Sequence, residues 1–192
     1  MSGAGFLLDL DRCVGCGACV IACRIENGWG GATPWRRVLS LNLRRVPAGP
    51  TYFLSLACHH CESPACVSAC PSRAYEQRED GVVLHLEDRC LGCRYCEMAC
   101  PFGAPRYSQE TGVVSKCHLC HHRLDAGEPP ACVAACPTEA LSLLGRQEPA
   151  GDRRGLPGFT DPADGRPRIR FRSPRGGIRE ERLTSLLEKR DE

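Results

Sequence analysis

Sixteen cysteines are the residues of this sequence whose type and spacing could do chemistry. They form four groups, each of which begins with C-x-x-C and ends with C-x-x-x-C, so that only the middle gap varies. The groups are Cys13, Cys16, Cys19 and Cys23; Cys58, Cys61, Cys66 and Cys70; Cys90, Cys93, Cys96 and Cys100; and Cys117, Cys120, Cys132 and Cys136. Cysteines at such short, repeated intervals are typical of metal ligands and not of a disulfide scaffold.

The spacing within the groups favours iron-sulfur clusters over zinc. Zinc sites of this kind repeat the C-x2-C pair, whereas each closing pair here has three intervening residues. The first and third groups match the bacterial ferredoxin pattern C-x2-C-x2-C-x3-C, in which the fourth cysteine binds the other cluster of a pair. Proline follows the last cysteine at Pro71, Pro101 and Pro137, but Arg24 takes that place in the first group.

The fourth group, in KCHLCHHRLDAGEPPACVAACP, has eleven residues between its second and third cysteines and also resembles a zinc knuckle. Because the group already has its four cysteines, we predict that segment 121–131 is an inserted loop, turned back by Gly127, Pro129 and Pro130. The histidines near the cysteines are expected to be neighbours of a metal site and not its ligands. They are His59, His60, His118, His121 and His122.

The charge of the protein depends on what the cysteines bind. The formal net charge of +2 counts every cysteine as a neutral thiol. Four 2+ cluster cores, each held by four thiolates, would add roughly −2 per site and bring the total to about −6. Six basic residues that flank the cysteines are therefore candidates to offset buried negative charge, with an ordinary solvent-exposed role as the alternative: Arg12, Arg24, Arg89, Arg94, Lys116 and Arg123.

Short strands and turns must position these groups. The apolar segments 5–10 and 140–144 flank the first and last groups and are predicted to pair as a terminal ribbon. The alternating segment 82–87 follows an Asp-Gly turn signal and is predicted to be the return strand of a hairpin. A further turn is expected at 111–112. Helices should be short, and the last cysteine of each group should begin a helical turn.

The composition changes after residue 144. Segment 145–192 lacks cysteine and is rich in proline, glycine and arginine. It is predicted to be an irregular extension that contacts a partner protein or is partly disordered, with one amphipathic helix over 178–189.

The ordered succession of motifs resembles the four-cluster ferredoxin-type iron-sulfur subunit of the dimethyl sulfoxide reductase family of molybdopterin oxidoreductases. The stretches that carry this resemblance cover nearly the whole sequence. They are FLLDLDRCVGCGACVIACRIEN, LACHHCESPACVSACP, DGVVLHLEDRCLGCRYCEMACPFGAPRY and TGVVSKCHLCHHRLDAGEPPACVAACPTEAL. Such a match is specific for the type of subunit and poorly specific for the substrate.

The resemblance implies an α+β fold of two nested bacterial-ferredoxin-like modules whose core is dominated by clusters. The outer module would comprise 1–48 and 106–144 and the inner one 49–105, followed by the extension 145–192. It also implies four ligand sets that exchange cysteines between groups. The first set is Cys13, Cys16, Cys19 and Cys136; the second Cys117, Cys120, Cys132 and Cys23; the third Cys58, Cys61, Cys66 and Cys100; the fourth Cys90, Cys93, Cys96 and Cys70.

The implied function is electron transfer without catalysis. Four 4Fe-4S clusters would relay electrons between a quinone-linked integral membrane anchor subunit and a molybdopterin catalytic subunit containing molybdenum or tungsten. In relatives the pair of clusters from groups one and four lies nearer the molybdenum. In the nitrate reductase branch a tryptophan replaces the cysteine that corresponds to Cys93, and that site holds three irons. Here the cysteine is present.

Two other functional classes share some of these features. A polyferredoxin-type electron carrier of a hydrogenase or formate dehydrogenase complex would use the same motifs. A cluster-containing nucleic-acid-binding protein is suggested by the arginine-rich segment 167–177, but the near-neutral formal charge disfavours it. No paired carboxylates, nucleophile-base pair or phosphate-binding glycine loop can be assigned.

Localisation is predicted from the absence of recognisable signals. The opening MSGAGFLLDLDRC lacks the basic and apolar regions of an export signal, as well as a twin-arginine pair. No run approaches the roughly 18 apolar residues that cross a bilayer. We expect a membrane-associated complex, on the cytoplasmic side or exported together with a twin-arginine partner.

Iron and acid-labile sulfide should each approach about sixteen atoms per polypeptide, because each expected cubane holds four of both. Colorimetric assays on anaerobically isolated protein measure both elements. Recovery of zinc, or of only half that iron, would contradict the prediction.

Overall fold

The computed structural model describes residues 3–28, 34–41, 50–144 and 165–172, and the helix predicted over 178–189 lies outside these ranges. Short helices and strands alternate along the sequence, in agreement with the predicted α+β class. The strands are β1 Gly5–Asp9, β2 Arg37–Leu41, β3 Tyr52–Leu56, β4 Tyr75–Gln77, β5 Val83–His85, β6 Arg106–Tyr107, β7 Val114–Ser115, β8 Leu141–Leu144 and β9 Ile169–Arg172. The helices are α1 Ala18–Asn27, α2 Ala65–Ser68, α3 Tyr95–Ala99, α4 His121–Asp125 and α5 Ala131–Ala134, with a 3-10 turn at Glu87–Arg89.

The main sheet joins the two ends of the cysteine-rich region in the order β8-β1-β9. Strand β1 pairs antiparallel with β8, with Gly5 opposite Leu144 and Leu8 opposite Leu141. The predicted terminal ribbon is therefore confirmed. All five residues of β1 are buried, as expected for a central strand with both faces covered.

Strand β9 is a feature of the extension that the composition did not predict. It runs parallel to β1, with Phe6 opposite Ile169, and its side chains Ile169 and Phe171 are part of the main core. Segment 145–192 was expected to be irregular, but this described part of it is an ordered strand. The alternation of apolar and basic residues in IRFR is a strand pattern, and the surrounding proline, glycine and arginine masked it.

Three hairpins complete the sheet structure of the described residues: β2 with β3, β4 with β5 and β6 with β7. The predicted turns are present, since Gly81 and Gly112 both have a positive φ, at 84° and 72°. Strand β5 is shorter than the predicted segment 82–87, because the backbone enters the 3-10 turn at Glu87. The β2-β3 hairpin was not predicted.

In each group a helix contains the third cysteine, and in three of the four it ends before the fourth, so the expectation that the fourth cysteine begins a helical turn was wrong there. Helix α3, for example, ends at Ala99, and Cys100 begins a hydrogen-bonded turn in which Gly103 N–H donates to its carbonyl at 3.0 Å. Proline after the fourth cysteine disfavours helical geometry at the residue before it. In α1, where Arg24 replaces proline, the helix runs on to Asn27. Helix α4 instead lies within segment 121–131, which was predicted to be a loop.

Helix packing pairs the cysteine groups. Helix α1 of the first group packs against α5 of the fourth, and α2 of the second group packs against α3 of the third. The main core lies between the three-stranded sheet and the β2-β3 hairpin, and it includes Cys19 and Cys132. A smaller core contains Cys66 and Cys96. The apolar cores and the cysteine groups thus coincide.

Phe171→Ala should lower the free energy of unfolding by about 3–5 kcal/mol, because it removes a fully buried aromatic side chain from the core. Arg172→Ala, on the same strand, should cost less than about 1 kcal/mol, since the ion pair of Arg172 with Asp9 is partly exposed. Anaerobic urea denaturation followed by circular dichroism measures both. Equal effects would contradict the place of β9 in the core.

Candidate metal centres

All sixteen cysteines lie in the described residues, and none of them forms a disulfide. The first set gathers from both ends of the region, because Cys13, Cys16, Cys19 and Cys136 line one cavity. The β1-β8 pairing brings them together, and Asp9 N–H donates to the carbonyl of Ala140 at 2.8 Å beside this cavity.

The third set lines a separate cavity of about 640 Å³. Cys58, Cys61 and Cys66 come from the second sequence group, and Cys100 comes from the end of the third. The packing of α2 against α3 produces this exchange between groups. Lys116 also lines the cavity.

The cysteines predicted to form the second set influence one another's protonation. Burial and the nearby Cys132 and Cys120 raise the pKa of Cys23 to about 11. Cys117 also has its pKa raised, first by burial, then by Cys58 of the third set, and then by Cys23 and Cys132. These cysteines therefore lie close together, although Cys23 stands far from the others in sequence.

The fourth set lies around the smaller core. Cys96 is buried there, and Cys70 and Cys90 pack against it together with Tyr75. Cys93 is exposed. Cys70 thus lies with cysteines of the next group in the sequence.

One backbone conformation recurs at the residue before the second cysteine of every group. Gly15, His60, Gly92 and Leu119 all have a positive φ, at 71°, 45°, 66° and 57°. This conformation aims the N–H group of Leu119 at Cys117 Sγ, at 3.4 Å, and that of Gly92 at Cys90 Sγ, at 3.5 Å. Backbone donors of this kind stabilise the charge of metal-bound thiolates. The four groups therefore share one wrapping geometry.

A second donor position lies four residues after the last cysteine of a group. The N–H of Ala74 donates to Cys70 Sγ at 3.2 Å, and that of Ala104 donates to Cys100 Sγ at 3.4 Å. Around Cys23 the continued helix uses this backbone donor internally. There the side-chain amide of Asn27, also four residues on, donates to the carbonyl of Cys23 at 2.8 Å and lies 3.7 Å from its sulfur.

Burial controls the protonation of most of these thiols. It raises the pKa of Cys61 and of Cys66 to about 12 each, with neighbouring cysteines adding to the shift. At Cys70 burial also acts upward, but the Ser72 hydroxyl and backbone donors outweigh it and lower the pKa. A crowded, buried group of thiols loses its protons when a cation takes their place. The donor set thus fits a cationic metal core.

The geometry fits clusters better than single ions. Within the described ranges, no three His, Cys, Asp or Glu side chains converge as ligands of one metal ion do. A cubane instead needs four cysteines around a cavity, and the first and third sets surround cavities in this way. The residues present therefore fit 4Fe-4S clusters.

Three of the histidines near the cysteines contact groups other than a cysteine sulfur. His60 is fully buried, and its Nδ1 accepts from the N–H of Val83 at 3.0 Å. His59 packs on the ring of Phe102, and burial lowers its pKa to about 3, so it is neutral. His122 Nε2 lies 2.8 Å from a carboxylate oxygen of Glu26 at the surface.

Buried cations lie near the cysteine sets, and the sequence analysis identified Lys116 but not Arg36. Of the six flanking candidates only Lys116 is buried, and it donates to the carbonyls of Val83 and Cys117. Arg36 is 1% exposed and was missed. No sequence signal separates it from Arg37, whose guanidinium donates instead to the carbonyl of Phe102.

Neighbouring sets lie in series. Cys19 of the first set and Cys132 of the second belong to one core cluster, and Arg36 interacts electrostatically with both. Cys117 of the second set packs with Cys58 of the third, and Cys66 of the third packs with Cys96 of the fourth. The cysteines therefore follow the order first, second, third and fourth set through the molecule.

Comparison with known proteins agrees with this chemistry. Residues 50–146 match the family model of a 4Fe-4S dicluster domain, and residues 4–24 match that of a 4Fe-4S binding domain. The probable anaerobic dimethyl sulfoxide reductase protein YnfG from Escherichia coli (strain K12) is 41% identical over 153 residues, which cover 72% of each sequence. The thiosulfate reductase electron transfer subunit PhsB of Salmonella typhi is 41% identical over 140 residues, covering 71% of this sequence and 73% of that one. A tetrathionate reductase subunit of Salmonella typhimurium is 42% identical over 132 residues, 68% of this sequence and 53% of that one.

The exchange of cysteines between groups can be tested by matched substitutions. Cys136→Ser and Cys16→Ser should alter the same cluster signal in low-temperature EPR, because both residues line one cavity. Cys132→Ser, from the same sequence group as Cys136, should alter a different signal. If Cys136→Ser and Cys132→Ser changed one common signal, the exchange would be refuted.

Proposed function

The protein belongs to the family of iron-sulfur subunits of anaerobic dimethyl sulfoxide reductases, and we propose that it relays electrons through four 4Fe-4S clusters. The observation that carries this proposal is the serial arrangement of the cysteine sets. Each set would hold one cluster: Cys13, Cys16, Cys19 and Cys136; Cys23, Cys117, Cys120 and Cys132; Cys58, Cys61, Cys66 and Cys100; Cys70, Cys90, Cys93 and Cys96.

The two outermost sets each have one exposed cysteine beside exposed apolar side chains. Cys16 of the first set has Val14 as its neighbour, 58% exposed. Cys93 of the fourth set lies in a segment where Leu91 is 72% and Met98 is 74% exposed. Exposed apolar groups of this kind favour contact with another protein. We assign these ends as the points at which electrons enter and leave.

The partners are proposed from the relatives, whose names are those of components of reductases. A molybdopterin catalytic subunit would contact one end and an integral membrane anchor subunit the other. Within the parts of the sequence that the structure describes, no helix is long and apolar enough to cross a membrane. An anchor subunit would therefore provide the link to quinone.

The clusters, when bound, supply reversible one-electron chemistry. The protein holds them in series, excludes water and sets their charge environment. Backbone donors such as those of Leu119 and Ala74 stabilise negative charge on the sulfur atoms, and buried Lys116 adds a cation beside the third set. These contributions require no acid-base residue, so the protein is proposed to be a non-catalytic subunit.

The packing supports a nested division of the polypeptide into two modules. The outer module would comprise 1–48 and 106–144, since β1 pairs with β8 and α1 packs against α5. The inner module would comprise 49–105, since α2 packs against α3. Segment 145–192 would contribute β9 to the outer sheet and contact a partner elsewhere.

Cys93→Ser should interrupt the relay at the fourth set while leaving the other clusters in place. In membranes that contain the whole complex, quinol should reduce the remaining clusters at least tenfold more slowly than in the parent protein. Low-temperature EPR should show one cluster lost or converted to a three-iron form. Dithionite, which bypasses the quinol route, should still reduce the others and serves as the control.

The relay itself is tested by adding dimethyl sulfoxide, tetrathionate and thiosulfate in turn to quinol-reduced membranes. At least one acceptor should reoxidise the clusters. Isolation as a stable monomer under gentle extraction, with no large or membrane subunit accompanying it, would refute the proposal.

A further inference from the structure

Arg36 is a fully buried cation at the junction of the first and second cysteine sets. Its side chain is 1% exposed and lies over the ring of Phe6, with its guanidinium carbon 4.4 Å from the ring centroid. Its Nη1 donates to Ser55 Oγ at 3.0 Å and to the carbonyl of Ser55 at 3.3 Å. Ser55 Oγ in turn lies 3.2 Å from Cys19 Sγ. The guanidinium is therefore fixed beside a cysteine of the first set.

The remaining donors of this guanidinium lack a hydrogen-bond partner in the described residues. Nε and Nη2 are both buried and unsatisfied there. A buried charge with unused donors is costly, and native proteins avoid it unless an anion lies nearby. No carboxylate forms an ion pair with Arg36 among the described residues. Negative charge on the cysteine sets is the remaining source of compensation.

Thiols of both sets surround the cation. Burial alone would lower the pKa of Arg36, but Cys132, Cys117 and Cys19 in their thiolate form raise it, and the net shift is upward. Conversely, Arg36 acts to lower the pKa of Cys132, against the larger upward effect of burial. Cys132 belongs to the second set and Cys19 to the first, so one charge acts on both.

We propose that Arg36 is a potential-setting residue that raises the reduction potentials of the clusters of the first and second sets together. The inference rests on the proposed four-cluster relay. Reduction adds one negative charge to a cluster, and a fixed cation in a low-dielectric interior stabilises that charge. Arg36 is held through Ser55 beside Cys19 of the first set and also interacts electrostatically with Cys132 of the second, so its one charge acts on both clusters. Electrons would thereby be favoured on these two clusters relative to a protein without Arg36.

The primary test is Arg36→Gln in the full-length protein, isolated anaerobically with its clusters. EPR-monitored redox titration should show the potentials of both clusters falling by the equivalent of at least a tenfold change in the reduction equilibrium, about 59 mV for one electron. The third and fourth clusters should shift by much less. Signals are assigned to sets with Cys16→Ser and Cys120→Ser.

The matched control is Arg12→Gln. This substitution removes the same charge next to Cys13 in sequence, but the side chain of Arg12 is 46% exposed and paired with Glu139. In this variant the potentials of the first and second clusters should differ from the parent values by less than the equivalent of a twofold change in the reduction equilibrium. Equal shifts in both variants, or unchanged potentials in a fully loaded Arg36→Gln protein, would overturn the proposal.

Arg36→Met keeps the test decisive if Arg36→Gln fails to retain its clusters. Methionine removes the charge without leaving a polar group in the core, so both potentials should again fall, and unchanged values at full iron content would overturn the proposal. Arg36→Lys keeps the charge and should hold both potentials closer to those of the parent protein, and a fall as large as that caused by loss of the charge would also overturn it. If the parent protein lacked four clusters, the relay itself would fail first, so iron and sulfide content distinguishes the two failures.

Discussion

Burial of many thiols in a small protein is the constraint on which the rest of this structure depends. A metal-bound cysteine is a thiolate, and negative charge inside a protein is stabilised only by cations and hydrogen-bond donors. A backbone conformation with positive φ recurs in all four groups, and at Gly92 and Leu119 its N–H donates to a cysteine sulfur. It supplies cations by burying Arg36 and Lys116. The apolar elements serve chiefly to hold these groups around the cysteine sets.

The sequence predicted those features that a local pattern encodes. Cysteine spacing indicated the chemistry, and alternation with turn signals indicated the terminal ribbon, one hairpin and the turn at 111–112. The positive φ angles were visible only where glycine marks them, because nothing in the residue types of His60 or Leu119 indicates a left-handed conformation. Arg36 and β9 depend on contacts between distant segments, which no local pattern reports. The helix boundaries were misjudged, since the effect of each proline falls on the residues before it.

The first group shows how a departure from the motif is accommodated. Arg24 replaces the usual proline, so α1 continues as a helix of ten residues. The backbone donor found four residues after Cys70 and Cys100 is then used within the helix. Asn27 places a side-chain amide near Cys23 instead. A side-chain donor thus takes the position of the backbone donor, but it lies farther from the sulfur and also binds the Cys23 carbonyl.

The position of β9 in the main sheet bears on the timing of folding during synthesis. The cysteines of the third set, Cys58 to Cys100, are all synthesised before Cys136 and before β9. The first set must wait for Cys136, and the sheet beside it is completed only when Ile169–Arg172 adds to the open edge of β1. Since protein domains generally fold as units while the polypeptide emerges, the inner region can mature on the ribosome before the outer one closes. Iron loading would then proceed from the middle of the polypeptide outward.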